Sequence, residues 1–127
     1  MCIRDSFSGA DLVGKQAVFL YLGSTDTVIL RSPEREHRWS TFVAGPTFVG
    51  PTDTFRATRF ASRTHGEDTT FLRHLLDAGG RVYSADRFNF MQIRGSSGDH
   101  TWTPDDLEIL ANSRAETIGL SVDHITV

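Results

Sequence analysis

One stretch constrains the fold of this chain more than any other: "HGEDTTFLRHLLDAGGRVYSADRFNF", from His65 to Phe90. Phe71, Leu72, Leu75 and Leu76 recur at helical spacing, and Arg73, His74 and Asp77 fall on the opposite side. Such a stripe must bury itself against another layer. Glu67 and Asp68 open the helix and Gly79-Gly80 closes it, after which "RVYSA" and "FNFMQIR" read as strands. The spacing therefore predicts a helix over 67–78 packed on one face of a sheet. Each leucine it buries is worth roughly 1.5–3 kcal/mol.

Strand-rich runs precede the helix. "SGADLVGK" gives a glycine stop and a short strand around Leu12 and Val13. "QAVFLYL" and "TVILR", joined by "GSTD", predict a hairpin. "WSTFVAG" and "PTFVG" read as two strand segments broken at Gly45-Pro46, because proline cannot donate to a central ladder. Residues 52–65 read as a surface loop with a helical turn. Near the other end, "GSSGDH" is a loop and "TPDDLEILANS" a short helix capped by Thr103, with Pro104 in its first position. At 127 residues the expectation is one mixed α/β unit around a single core.

Composition excludes several classes. Hydrophobic content of 39% and charged content of 23% are globular values. A net charge of −3 offers no basic face for nucleic acid. No apolar run approaches the ~20 residues of a membrane span, and no apolar leader core is present near the start, so a cytoplasmic protein is expected. Cys2, the lone cysteine, rules out a disulfide framework and a cysteine-based zinc site. The opening "MCIRDS" fits poorly with "FSGADLVGK", which is patterned like the end of a helix entering a strand. It reads as a non-native leader over residues 1–6, and the natural chain is expected to begin upstream.

Two clusters are candidates for chemistry. Acids in a first helical turn complement the macrodipole for about 0.3–1 kcal/mol each, which alone would explain Glu67 and Asp68. The same dipole keeps a carboxylate ionised, and an ionised, positioned carboxylate can take a proton from a hydroxyl. In "RFNFMQIRGSSGDHTW", Arg94 and His100 flank a loop, with Trp102 just beyond. Arginine can fork onto phosphate oxygens and neutral histidine can ligate a divalent metal, although a solvated arginine and a surface histidine account for them as well. Hydrolase elbows, Walker loops, Rossmann fingerprints and zincin helices are absent from the sequence.

As an ordered set, "HGEDTTFLRHLLDAGGRVYSADRFNFMQIRGSSGDHTW" resembles the second half of family 2 glycosyltransferases of the GT-A fold, and "SGADLVGK" and "FVAGPTFVG" extend the likeness over roughly residues 7–127. The resemblance implies an incomplete GT-A (nucleotide-diphospho-sugar transferase) fold, a mixed sheet with flanking helices, whose nucleotide-binding part precedes residue 7. It implies transfer of a sugar from a nucleoside diphosphate donor to an acceptor hydroxyl, with inversion. Asp68 matches the catalytic base and Glu67 its companion. Arg94 and His100 match the donor pyrophosphate side, His100 also as a metal contact, while Gly45, Pro46, Thr47 and Trp102 match the acceptor side. A divalent metal (Mg or Mn) is implied, held mostly by an Asp-x-Asp motif that this chain does not contain, so the piece alone is expected to be inactive. The implied acceptor is a glycan, a lipid-linked or a small molecule, and the expected place is the cytoplasm, free or peripheral to the inner membrane face. Two alternatives stand beside it: a metal-dependent hydrolase using His65, Glu67, Asp68 and His100, and a non-catalytic sugar-binding or interaction domain.

Overall fold

Alternating apolar residues between glycine and proline punctuation produce short strands here. The structure, a computed structural model, describes residues 9–95, 104–121 and 126. In chain order the described elements are strands β1 (Leu12–Gly14), β2 (Val18–Leu22), β3 (Thr27–Arg31) and β4 (Arg38–Ser40), a 3-10 turn (Gly45–Thr47), and helices α1 (Thr52–Ala57) and α2 (Glu67–Asp77). Strands β5 (Val82–Ser84) and β6 (Met91–Arg94), helix α3 (Asp106–Ala111) and strand β7 (Arg114–Ile118) complete the order. None of the described helices is long and apolar enough to cross a membrane.

The expectation of one sheet and one core is corrected. The chain is mixed α/β, but its strands form two sheets in two compact units. One unit holds the described residues up to Gln16 and Arg35–Asp86, the other Ala17–Glu34 and the described residues from Arg87 onward. Local patterning could not reveal the division, because it depends on which distant strands pair.

In the first unit the sheet order is β1-β5-β4, with β1 parallel and β4 antiparallel to the central β5. Helix α2 lays Phe71, Leu72 and Leu75 into a core with Leu12, Val43 and Val82, while Leu76 packs half-buried at its margin and Arg73, His74 and Asp77 stay exposed. The helical stripe is thus borne out. Gly66 precedes it at φ 72°, and the double glycine ends it as a left-handed cap: Gly79 N–H donates to Leu76 and Gly80 N–H to Leu75, both at 2.9 Å.

The segment from Trp39 to Gly50 departs from the two expected strands. Beyond Ser40 the chain leaves the ladder, because the Ser40 hydroxyl donates to Phe42 O and accepts from Phe42 N–H. Gly45-Pro46-Thr47 then tightens into the 3-10 turn with Pro46 near its start, and only Val49 returns to β1, through two backbone bonds with Val13.

In the second unit the sheet order is β6-β2-β3-β7, and the predicted hairpin is its centre, Val18 facing Arg31 and Leu22 facing Thr27. Asp26 turns the hairpin at φ 48°, a conformation aspartate tolerates. Period-two alternation sends Leu20, Leu22 and Ile29 to one face with Ile109, and Phe19, Val28 and Leu30 to the other with Phe88 and Met91. Both faces are covered, which is why "VFLYL" is apolar without a break. Two boundaries differ from expectation. Strand β6 is shorter than "FNFMQIR" because Asn89 sits at φ 63°. Helix α3 begins two residues late; Asp105, not Thr103, is its cap, accepting from Leu107 N–H.

Candidate functional site

Strand β1 and helix α2 bring the site together within the first unit. At the carboxyl end of β1, Lys15 N–H donates 2.8 Å to the Thr47 hydroxyl, and Lys15 O accepts from Ala44 N–H at 2.8 Å. Thr47 donates in turn to Ala44 O at 2.6 Å. Val43 lies so close to β1 that a Cβ on Gly14 would come within 2.6 Å of its Cγ2. The turn is therefore clamped onto the end of the strand.

That clamp sets Gly45 against Asp68. A Cβ at position 45 would lie 2.6 Å from Asp68 Oδ2 and 2.9 Å from Asp68 Cβ. The other carboxylate oxygen, Oδ1, accepts from Thr69 N–H at 2.7 Å, so the carboxylate is held with Oδ2 toward the turn. Asp68 and Glu67 are both half-buried. Ligands of open α/β sheets bind beyond the carboxyl ends of the strands, and here Asp68 and Gly45 meet beside the end of β1. Glycine at 45 is required by this approach, and Gly45→Ala should cost about 1–3 kcal/mol in urea unfolding. A double-mutant cycle with Asp68→Gly should return a coupling of about 0.5–3 kcal/mol, since that change removes the atoms the new methyl meets.

The other described site residues differ in burial and in the unit that holds them. Pro46 is exposed beside Gly45, whereas Thr47 is buried with its hydroxyl engaged in the clamp. His65 is exposed, one residue before the αL glycine. Arg94 belongs to the second unit, where its Nε lies 2.7 Å from Asp106 Oδ1 and its Nη2 donates to Pro104 O at 2.6 Å. Ser24 donates to the same Asp106 carboxylate. His100 and Trp102 lie outside the described residues. Among the described residues, no three His, Cys, Asp or Glu side chains group closely enough to hold a metal ion.

Lys15 is the residue that the sequence did not single out. Its ammonium pairs with Asp86 Oδ1 at 3.1 Å, and both side chains are mostly buried. Its main chain carries the turn that faces Asp68. The available signal was that Lys15 is the sole lysine of the chain, directly after the glycine that ends β1. No protein-family model, curated protein or solved structure matches the chain.

Proposed function

We propose that this chain is the acceptor-side part of an inverting glycosyltransferase of GT-A type, with Asp68 as its general base. The observation that carries the reading is the Gly45–Asp68 contact: the two motifs that resemble the acceptor loop and the base meet at one point. A bare helix-dipole role for Asp68 explains its place in the first turn, but not a glycine pressed against its carboxylate. In the proposed reaction Asp68 Oδ2 takes the proton of the acceptor hydroxyl, whose oxygen attacks the anomeric carbon. The bond to the nucleoside diphosphate breaks with inversion. A hydroxyl is a weak nucleophile until its proton has an acceptor, which is the part a half-buried, oriented carboxylate supplies.

The donor side lies elsewhere in this proposal. A divalent cation would balance the leaving diphosphate, and the described residues do not by themselves fit one. The hydrolase alternative also needs His100, which lies outside the described residues; among the described residues His65, Glu67 and Asp68 form no metal-holding group. The test is to join the chain to its upstream sequence, supply nucleoside diphosphate sugars with glycoside acceptors, and follow the product's anomeric signals by NMR. Inverted glycoside together with free nucleoside diphosphate is expected. Retention of configuration, or donor turnover that ignores the acceptor, would overturn the reading.

A further inference from the structure

Lys15 and Asp86 pair inside the first unit, just beyond the ends of the parallel strands β1 and β5. The ammonium lies 3.1 Å from Asp86 Oδ1 and also donates to Asp86 O, so both of its bonds reach one residue. The chain has twelve arginines and this one lysine. A compact ammonium can aim two donors at acceptors on a single residue, whereas a guanidinium spreads its donors in a planar fork. The two side chains are only 16% and 19% exposed. Taking charges that far out of water offsets much of their attraction, so such a pair is a weak source of net stability. What it does fix is direction.

Direction matters at Lys15 because its main chain bonds away from β5. Gly14 O accepts from Ala85 N–H at 2.8 Å and Gln16 N–H donates to Ser84 Oγ at 3.1 Å, both on the β5 side. Between them, Lys15 N–H donates to the Thr47 hydroxyl and Lys15 O accepts from Ala44 N–H, both in the turn that sets Gly45 against Asp68. The ammonium is therefore what ties Lys15 itself to the β5 side. We infer that the Lys15–Asp86 pair positions the site: through the Lys15 main chain it holds the Gly45 turn in register with the Asp68 carboxylate. In this role both are positioning residues and neither touches a reacting atom. The effect on transfer rests on Asp68 as the base; the mechanical coupling does not.

The test replaces both charges at once, Lys15→Met with Asp86→Leu, because removing either alone would leave the other mostly buried without its partner. In the whole chain this double variant should keep the urea midpoint of the parent. Its 15N spectrum should show the amides of Lys15, Gly45 and Thr69 displaced, Thr69 N–H being the donor to Asp68 Oδ1. The Lys15 amide should also exchange faster with solvent, while those of Leu72 and Leu75 stay unchanged. In the enzyme joined to its donor half, the same variant should lower kcat about 10–100-fold and leave the donor KM alone. Asp86→Asn, which keeps both acceptors for the ammonium, is the second variant and should show the same changes at smaller size. Unmoved Lys15 and Gly45 amides in either folded variant overturn the inference. A normal kcat in the double variant, with Asp68→Asn strongly impaired, overturns the positioning role alone. Normal kcat in both overturns it together with the base.

Discussion

Asp68→Asn is expected to lower sugar transfer by a factor of about 10²–10⁴ while leaving fold and donor affinity in place. The substitution preserves shape. Asparagine can still accept the Thr69 N–H bond that now reaches Oδ1 at 2.7 Å, and it occupies the same space beside Gly45. What it loses is a proton acceptor and about 0.3–1 kcal/mol of interaction with the helix dipole. The loss should therefore fall on kcat, with the denaturation midpoint little changed, in the enzyme carrying its donor half. Glu67→Gln should cost far less, because Asp68 rather than Glu67 is the carboxylate facing the Gly45 turn. Near-normal kcat in a well-folded Asp68→Asn enzyme would return Asp68 to the role of a first-turn acid and nothing more.

The parts of this picture that local chemistry dictates were readable in the sequence. Helix α2 announced itself by its stripe and its glycine stop, and both act as expected. The β2–β3 hairpin came from two β-branched, aromatic-rich runs around a turn. What could not be read was pairing at a distance. The parallel pairs β1–β5 and β2–β6 belong to different sheets, and no local period says which strand a short apolar run will join. Helix α3 shows the limit at a finer scale. Both Thr103 and Asp105 are competent caps, and the sequence could not rank them.

The candidate site was legible in its residue types but not in its assembly. "HGED" pointed to Asp68 and "AGPTF" to Gly45, yet their contact depends on the Thr47 hydroxyl holding the turn to Lys15. The resemblance puts Thr47 on the acceptor side; in the structure its hydroxyl is occupied inside the turn. The Lys15–Asp86 pair spans 71 positions and left only the trace of a lone lysine. The exposure of Trp39 was hidden for a similar reason. A tryptophan in a strand-like run reads as core, and only the end position of β4 in the sheet exposes it.

The largest stability effect is expected at Phe71. Its ring is fully buried in the first unit, where three other rings converge on it: Phe60 stacks at 4.5 Å between centroids, Phe55 at 5.5 Å, and Phe48 tilts at 5.6 Å. Phe71→Ala removes the centre of this cluster, and the backbone of α2 cannot collapse into the space without dragging Leu72 and Leu75 from the core. The expected cost is about 3–5 kcal/mol, a large share of the ~5–15 kcal/mol that holds a domain of this size. Phe42, 44% exposed, is the control, and its alanine variant should stay within about 0.5 kcal/mol. Phe48 caps the 3-10 turn through its N–H to Gly45 O, so loosening its ring contact should also loosen the turn that faces Asp68. Hydrogen exchange would read both effects at once: faster exchange at the amides of Leu72 and Val82 for the core, and of Phe48 for the turn. If Phe71→Ala cost less than about 1 kcal/mol, α2 would not be anchored by its apolar stripe, and the positioning of Asp68 would need another source.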